Sequence, residues 1–352
     1  MSRFFSRKYS ELKEYVPGEQ PKNKRFIKLN TNESPFPPSD NVLRAIADSA
    51  EKLNLYCDPE CSELTRTVAE YYGQSADKFL MTNGSDEILN FAFAAFGDSE
   101  HGFVFPDVTY GFYPVFARVN GIPFETVPLN ENLTINYRDY CGINKNVVIA
   151  NPNAPTGLTL NLNQIEKILA SNKNNVIIID EAYIDFGGDS CIPLVNKYEN
   201  LLVTRTFSKS YSLAGGRLGF GVGSPEIIND LKKIKYSTNP YNVNAMTQRA
   251  GAAAIQDAKY YMDNCREIVR VREEYKEELS KRGFFVTDSK ANFLFAKHSK
   301  ISGEELYSEL KEKGVLVRHF SNERIKDYVR ITVGSEREMA EFIEKTDLIL
   351  RR

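Results

Sequence analysis

The feature that most constrains this chain is a series of short apolar runs. Phe79-Leu80-Met81, Phe103-Val104-Phe105, Val147-Val148-Ile149-Ala150, Val176-Ile177-Ile178-Ile179, Leu201-Leu202-Val203 and Leu218-Gly219-Phe220 are rich in β-branched or aromatic side chains. Each is too short for an independent helix and carries no polar residue for a solvated face. Each therefore reads as a strand buried on both faces, and helical stretches separate them. That alternation calls for an α/β fold with a mainly parallel sheet covered on both sides.

The flanks add detail. A helical pattern begins at Ser39, with Val42, Leu43, Ile46, Ala47 and Leu53 at helical spacing. A second helix opens at Ser62, taken as its N-cap, and stops at Gly73. Beyond about residue 250 the pattern changes. A long amphipathic helix, roughly Ala258 to Lys281, carries Cys265, Ile268, Val269, Arg272, Tyr275 and Leu279 on one side and ends at Gly283. Shorter strands follow at Phe293-Leu294-Phe295, Val315-Leu316-Val317 and Val329 to Val333, interleaved with helices. The expected division is an N-terminal arm of residues 1–35 packing with the small domain, a large domain over 36–250, and a small α+β domain over 251–352. The arm is irregular, broken by Pro17-Gly18, Pro21 and Pro35.

Composition enters as exclusion. A formal charge of −2 leaves no basic excess for nucleic acid. The longest apolar run, Phe91 to Phe96, is far short of the roughly 20 residues a membrane helix needs. The N-terminus has no apolar core of a secretion signal, so a cytoplasmic location is expected. The five cysteines (Cys57, Cys61, Cys141, Cys191, Cys265) are odd in number and scattered, as reduced thiols are. Only Cys57 and Cys61 are close, and His101, His298 and His319 form no metal motif, so no metal site is expected.

In an open parallel sheet, ligands bind beyond the carboxyl ends of the strands. After Met81 comes Thr82-Asn83-Gly84-Ser85-Asp86-Glu87. Gly84 permits close backbone approach, and the following helix offers unpaired N–H groups to an anion. By itself, a plain turn capped by Ser85 or Asp86 is the better reading. After Ala150, Asn151-Pro152-Asn153-Ala154-Pro155-Thr156-Gly157 forms a fixed loop whose amide reaches a ligand, or a rigid surface turn. After Ile179, Asp180-Glu181-Ala182-Tyr183 places a carboxylate at a strand end, either to pair with a cationic ligand group or to cap a helix. After Val203 the chain reaches Ser208-Lys209, with Arg217 eight positions beyond the lysine. This fits a desolvated lysine that forms a Schiff base beside a phosphate site made by Ser208 and Arg217. A lone lysine is usually solvated surface; the combination is what counts. Pyridoxal phosphate needs a lysine for its aldehyde, an anion cup for its phosphate, a carboxylate for its ring nitrogen and an aromatic face.

With these residues the chain resembles the fold-type-I pyridoxal-phosphate aminotransferases, and within them the branch that acts on histidinol phosphate. The resemblance runs from Leu12-Lys13-Glu14-Tyr15-Val16-Pro17-Gly18, through Leu29-Asn30-Thr31-Asn32-Glu33-Ser34-Pro35, Thr109-Tyr110 and Tyr241-Asn242-Val243-Asn244, to Tyr328-Val329-Arg330-Ile331-Thr332-Val333-Gly334. It implies pyridoxal 5'-phosphate as cofactor, with Lys209 as the Schiff-base lysine that also shuttles the substrate proton. Asp180 would keep the pyridine nitrogen protonated, Tyr110 would stack on the ring, and Tyr183 would bond the phenolic oxygen. Ser85, Asp86, Ser208 and Arg217 would hold the phosphate. Tyr56 would reach across from the other subunit of a homodimer. Arg330, with Arg318 and Tyr15, would bind the anionic tail of histidinol phosphate or of glutamate, since a planar guanidinium pairs with phosphate or carboxylate.

One position departs from the family. Many relatives have Asn-Asn-Pro-Thr-Gly in the loop, and the second asparagine contacts the phenolic oxygen; here that position is Ala154. Either Asn153 reaches in or Tyr183 acts with less help. The implied reaction is transamination of histidinol phosphate with 2-oxoglutarate in histidine biosynthesis. Its rivals are an aromatic amino-acid aminotransferase, a threonine-phosphate decarboxylase and a non-catalytic cofactor-binding regulator.

Overall fold

The computed structural model describes residues 2–10, 12, 14–20 and 26–351. Lys13 of the N-terminal motif and the breaker Pro21 lie outside the described residues. A central sheet of seven strands runs in the spatial order Phe79–Thr82, Gly219–Gly223, Leu201–Thr206, Ile177–Asp180, Asn146–Ala150, Phe103–Pro106, Phe124–Val127. Gly219–Gly223 is antiparallel to both neighbours, and the other strands share one direction.

Successive side chains of a strand point to opposite faces. Met81, Val104, Val147, Ile149, Ile177, Ile179 and Val203 pack with Val42, Leu64 and Ala250 on one side. Leu80, Phe103, Phe105, Val148, Ile178 and Leu202 pack with Ile88, Phe93 and Ile228 on the other. Because both faces are covered, the runs are apolar throughout. The exception is the edge strand Phe124–Val127, whose central Glu125 and Thr126 are exposed. It gave no apolar run to read.

Two helix expectations need correction. Helix Asp40–Ala50 is capped by Ser39, whose side chain accepts from the Val42 N–H, but Leu43 and Leu53 are exposed and Leu53 lies past the helix end. Helix Ser62–Tyr72 starts at Ser62 rather than being capped by it. The residue before it, Cys61, is left-handed with φ 50. The Asp58 carboxylate does the capping, accepting from the N–H groups of Ser62 (2.7 Å) and Glu60 (2.9 Å).

A second, antiparallel sheet orders Arg318–His319, Tyr328–Thr332, Phe293–His298 and Phe284–Val286. Val315–Leu316 pairs instead with Ile27–Lys28 near the N-terminus, in parallel. Leu29 then enters the apolar cluster of Leu294, Ile331 and Met339, and its carbonyl accepts from the Thr332 N–H at 2.9 Å. Helix Ala258–Lys281 buries Cys265, Ile268, Arg272, Tyr275 and Leu279 as expected, and Val271 as well. The buried Arg272 guanidinium donates to the carbonyls of Phe186 (3.0 Å) and Ala291 (2.8 Å), joining this helix to the loop beyond Asp180. Helix Ala245–Gln256, which contains residue 250, packs on Asp40–Ala50 and Ser62–Tyr72.

Candidate active site

Thr82, Ala150, Asp180 and Thr206 end strands of one direction along one edge of the central sheet. The reversed strand begins at that edge with Gly219, opposite both Thr82 and Thr206. Arg217, which precedes its strand, therefore arrives beside residues that follow theirs. Ser85, Asp86, Tyr110, Asp180, Tyr183, Ser208, Lys209 and Arg217 line one cavity of about 480 Å³, together with Thr31 and Ala154.

At one end lies an anion cup. Helix Ser85–Phe96 has Gly84 at its N-cap with φ 79 and no side-chain cap, so its first N–H groups are available to a ligand. A side chain at Gly84 would sit 2.7 Å from Arg217 Nη2, and one at Gly219 would sit 2.5 Å from the Ser85 nitrogen. Both glycines are there for close approach. Arg217 lies 3.4 Å from the Ser208 hydroxyl and 3.2 Å from Asp86.

Deeper in the cavity, Asp180 is nearly fully buried. Its two oxygens accept from the Thr204 hydroxyl (3.0 Å) and the Tyr113 hydroxyl (2.9 Å). Burial raises its carboxyl pKa to about 6, against the pull of these two hydrogen bonds. Tyr113 and Thr204 escaped sequence reading because in sequence they look like core residues. Tyr113 also meets the ring of Tyr110 edge-on at 5.6 Å, and the Tyr110 hydroxyl donates to Asp86 at 2.7 Å.

Lys209 donates to the Thr31 carbonyl at 3.2 Å. Burial lowers its ammonium pKa to about 8, helped by the nearby Arg330 charge, which favours the neutral amine a nucleophile needs. The Tyr183 ring lies beneath it, 5.8 Å from Nζ. The Tyr183 hydroxyl accepts from the side-chain amide of Asn32 at 2.9 Å.

A second cavity of about 270 Å³ shares Thr31, Tyr110, Ala154, Tyr183 and Lys209 with the first, and adds Tyr15, Arg318 and Arg330. Arg330 lies between the rings of Phe293 (5.3 Å) and Phe320 (5.6 Å). Its Nη2 donates to the Asn30 carbonyl at 3.2 Å, and its buried Nε has no partner among the described residues. Burial lowers its pKa. Arg318 donates to the carbonyls of Val16 (2.9 Å) and Pro17 (3.2 Å), and the Tyr15 ring packs at a tilt on Phe112, with centroids 4.2 Å apart.

Two expected residues lie elsewhere. Asn153 is buried and lines neither cavity. Its amide oxygen accepts from Thr109 (2.8 Å), and its nitrogen donates to the Val108 carbonyl (3.0 Å) and to Thr156 (3.2 Å). It holds the loop, and Ala154 is the loop residue that faces the cavity. Tyr56 stacks on Tyr241 at 4.7 Å, is 85% exposed, and lines neither cavity.

Comparison with known proteins gives one family. Residues 24–345 match the model of aminotransferase class I and II. The chain is 46% identical over 346 residues to a histidinol-phosphate aminotransferase of Clostridium acetobutylicum, covering 98% of each chain. It is 46% identical over 353 residues to one of Brachyspira hyodysenteriae, covering 100% of each. In fold it is similar to a Sinorhizobium meliloti histidinol-phosphate aminotransferase solved with pyridoxal-5'-phosphate. The TM-score is 0.90 at 22% identity, over 100% of this chain and 98% of that one.

Proposed function

We propose that this chain, which belongs to the class I and II aminotransferases, transfers an amino group reversibly from histidinol phosphate to 2-oxoglutarate, giving glutamate, with pyridoxal 5'-phosphate as cofactor. The observation that carries the reading is the pairing of the two cavities. One offers a lysine, a buried carboxylate and an anion cup; the other, sharing that lysine, offers two arginines.

The residues present fit the cofactor. The uncapped helix start at Ser85 and Asp86, with Ser208 and Arg217, suits a phosphate, and the two glycines leave room for it. Tyr110 suits a ring face, and Asp180 suits a ring nitrogen. Bound there, the cofactor would supply an electron-accepting ring and an aldehyde that takes up the amino group. Lys209 Nζ would hold that aldehyde and then take and return the proton at the substrate Cα. Asp180, fixed through both oxygens, would keep a proton on the ring nitrogen as a charge partner. Tyr183 would donate to the ring oxygen.

Arg330 and Arg318 would receive the substrate's anion. Glutamate and histidinol phosphate use the pocket in turn, and guanidinium groups serve carboxylate and phosphate alike. The unpartnered Nε of Arg330 supports a ligand role over a structural one. Tyr15 would close this pocket.

The active unit is a homodimer in this reading, with Tyr56 reaching the partner's site. Leu43, Leu53, Leu55 and Tyr56 are exposed apolar side chains that a second copy would cover. Residues 1–35, 36–250 and 251–352 would form arm, large domain and small domain, with helix Ala245–Gln256 straddling the second boundary. No helix among the described residues is long and apolar enough to cross a membrane. We infer that the enzyme works in the cytoplasm.

Steady-state kinetics test the substrate. Histidinol phosphate should give a kcat/KM well above that of phenylalanine, with amino transfer to 2-oxoglutarate. A preference for phenylalanine, or release of carbon dioxide from threonine phosphate without a keto acid, would overturn it.

A further inference from the structure

Asn32 belongs to a motif that the proposed chemistry leaves unused, yet it is 1% exposed and touches a cavity residue. Its hydrogen bonds form a directed chain. The Asn32 backbone N–H, which can only donate, points at Thr332 Oγ1 at 2.9 Å. The Thr332 hydroxyl proton is then free to be donated to Asn32 Oδ1 at 3.0 Å. With Oδ1 accepting there, every donor and acceptor of this group is matched, and the group facing the Tyr183 oxygen at 2.9 Å is the amide NH₂. The Asn32 carbonyl in turn accepts from Asn292 Nδ2 at 3.0 Å. The backbone at Asn32 is left-handed, with φ 56, a conformation asparagine tolerates.

The consequence falls on Tyr183. Its oxygen accepts from Asn32, and its hydroxyl donates to no described residue, so its single proton is directed at the cavity it lines. The loop after Ala150 offers this cavity only the Ala154 methyl group beside the backbone. Without Asn32 the Tyr183 hydroxyl could rotate freely.

We propose that Asn32 is a positioning residue: it holds the Tyr183 hydroxyl as a donor toward the cofactor's ring oxygen, and so replaces support that Ala154 does not give. The proposal rests on reading the cavity as a pyridoxal-phosphate site.

The test reads the pH midpoint of the visible-absorbance change of the bound cofactor. A donor at the ring oxygen favours the more negative, deprotonated form and holds the midpoint low. Asn32→Gly keeps the left-handed backbone and removes the amide. It should raise the midpoint by roughly half to one pH unit, the scale of one neutral hydrogen bond, and by less than Tyr183→Phe does. Thr332→Val, which unlocks the Asn32 amide without changing side-chain volume, should shift the midpoint in the same direction. In a Tyr183→Phe background neither change should add a further shift. An unmoved midpoint, or the same shift with and without the Tyr183 hydroxyl, overturns the proposal while leaving the cofactor site intact. A chain that takes up no pyridoxal phosphate overturns both.

Discussion

A carboxylate sealed from water prefers its proton, and Asp180 is held in that condition. Its folded pKa, about 6, lies above the ordinary value of 3.8. Between these values the folded chain binds more protons than the unfolded one. Stability therefore falls as pH rises through that window, and the penalty is complete above pH 6. In the cofactor-free chain, Asp180→Asn should be more stable than the parent at pH 7, by no more than about 3 kcal/mol. The difference should vanish near pH 4, as urea unfolding at both values would record. The same variant should lose amino transfer, which marks the destabilising charge as functional. Lys209→Ala should lower kcat/KM by at least about 10²-fold in steady-state assays, since it removes the proton carrier. Lys209 and Asp180 were legible in sequence because each follows a buried run at a strand end. Tyr113, Thr204 and Asn32 were not, because their hydrogen-bond partners are distant in the chain: Asp180 for the first two, Tyr183 and Thr332 for the third. Asn153 misled because an amide in a loop signals a polar role but not its direction.

At the scale of elements, the site depends on a reversed strand. Gly219–Gly223 brings Arg217 to the sheet edge where its neighbours end, and Gly219 lies against the first turn of helix Ser85–Phe96. Gly219→Ala should push that turn away from Arg217 and Ser208. Cofactor affinity, followed by absorbance titration, should fall at least about tenfold, the equivalent of roughly 1.4 kcal/mol, while the far-ultraviolet spectrum stays that of the parent. The direction of this strand was hidden in the sequence, since Leu218-Gly219-Phe220 reads the same either way. Strands buried on both faces announce themselves by uniform apolarity. Phe124–Val127, with two exposed residues, does not. Helix starts were legible where the cap is local, as at Ser39. At Ser62 the capping carboxylate comes from Asp58, outside the usual cap position.

For the whole molecule, a near-neutral chain concentrates the charge that matters in a few groups lining two adjoining cavities: Lys209, Arg217 and Arg330. The exposed position of Tyr56 bears on assembly. Lys209→Ala and Tyr56→Ala chains, each impaired alone, should regain activity when mixed and allowed to exchange subunits, because one site of the mixed dimer then holds both native residues. Failure to recover would argue against a shared site. The exposed side chains of Leu43 and Leu53 fit an interface, which helical spacing alone could not distinguish from core. The half-reaction tests the central claim most directly. The cofactor-loaded enzyme is mixed with one amine at a time, with no keto acid, and its visible absorbance is followed. Histidinol phosphate and glutamate should each convert the enzyme to its pyridoxamine form, and phenylalanine should do so far more slowly. Conversion by phenylalanine with none by histidinol phosphate would contradict it.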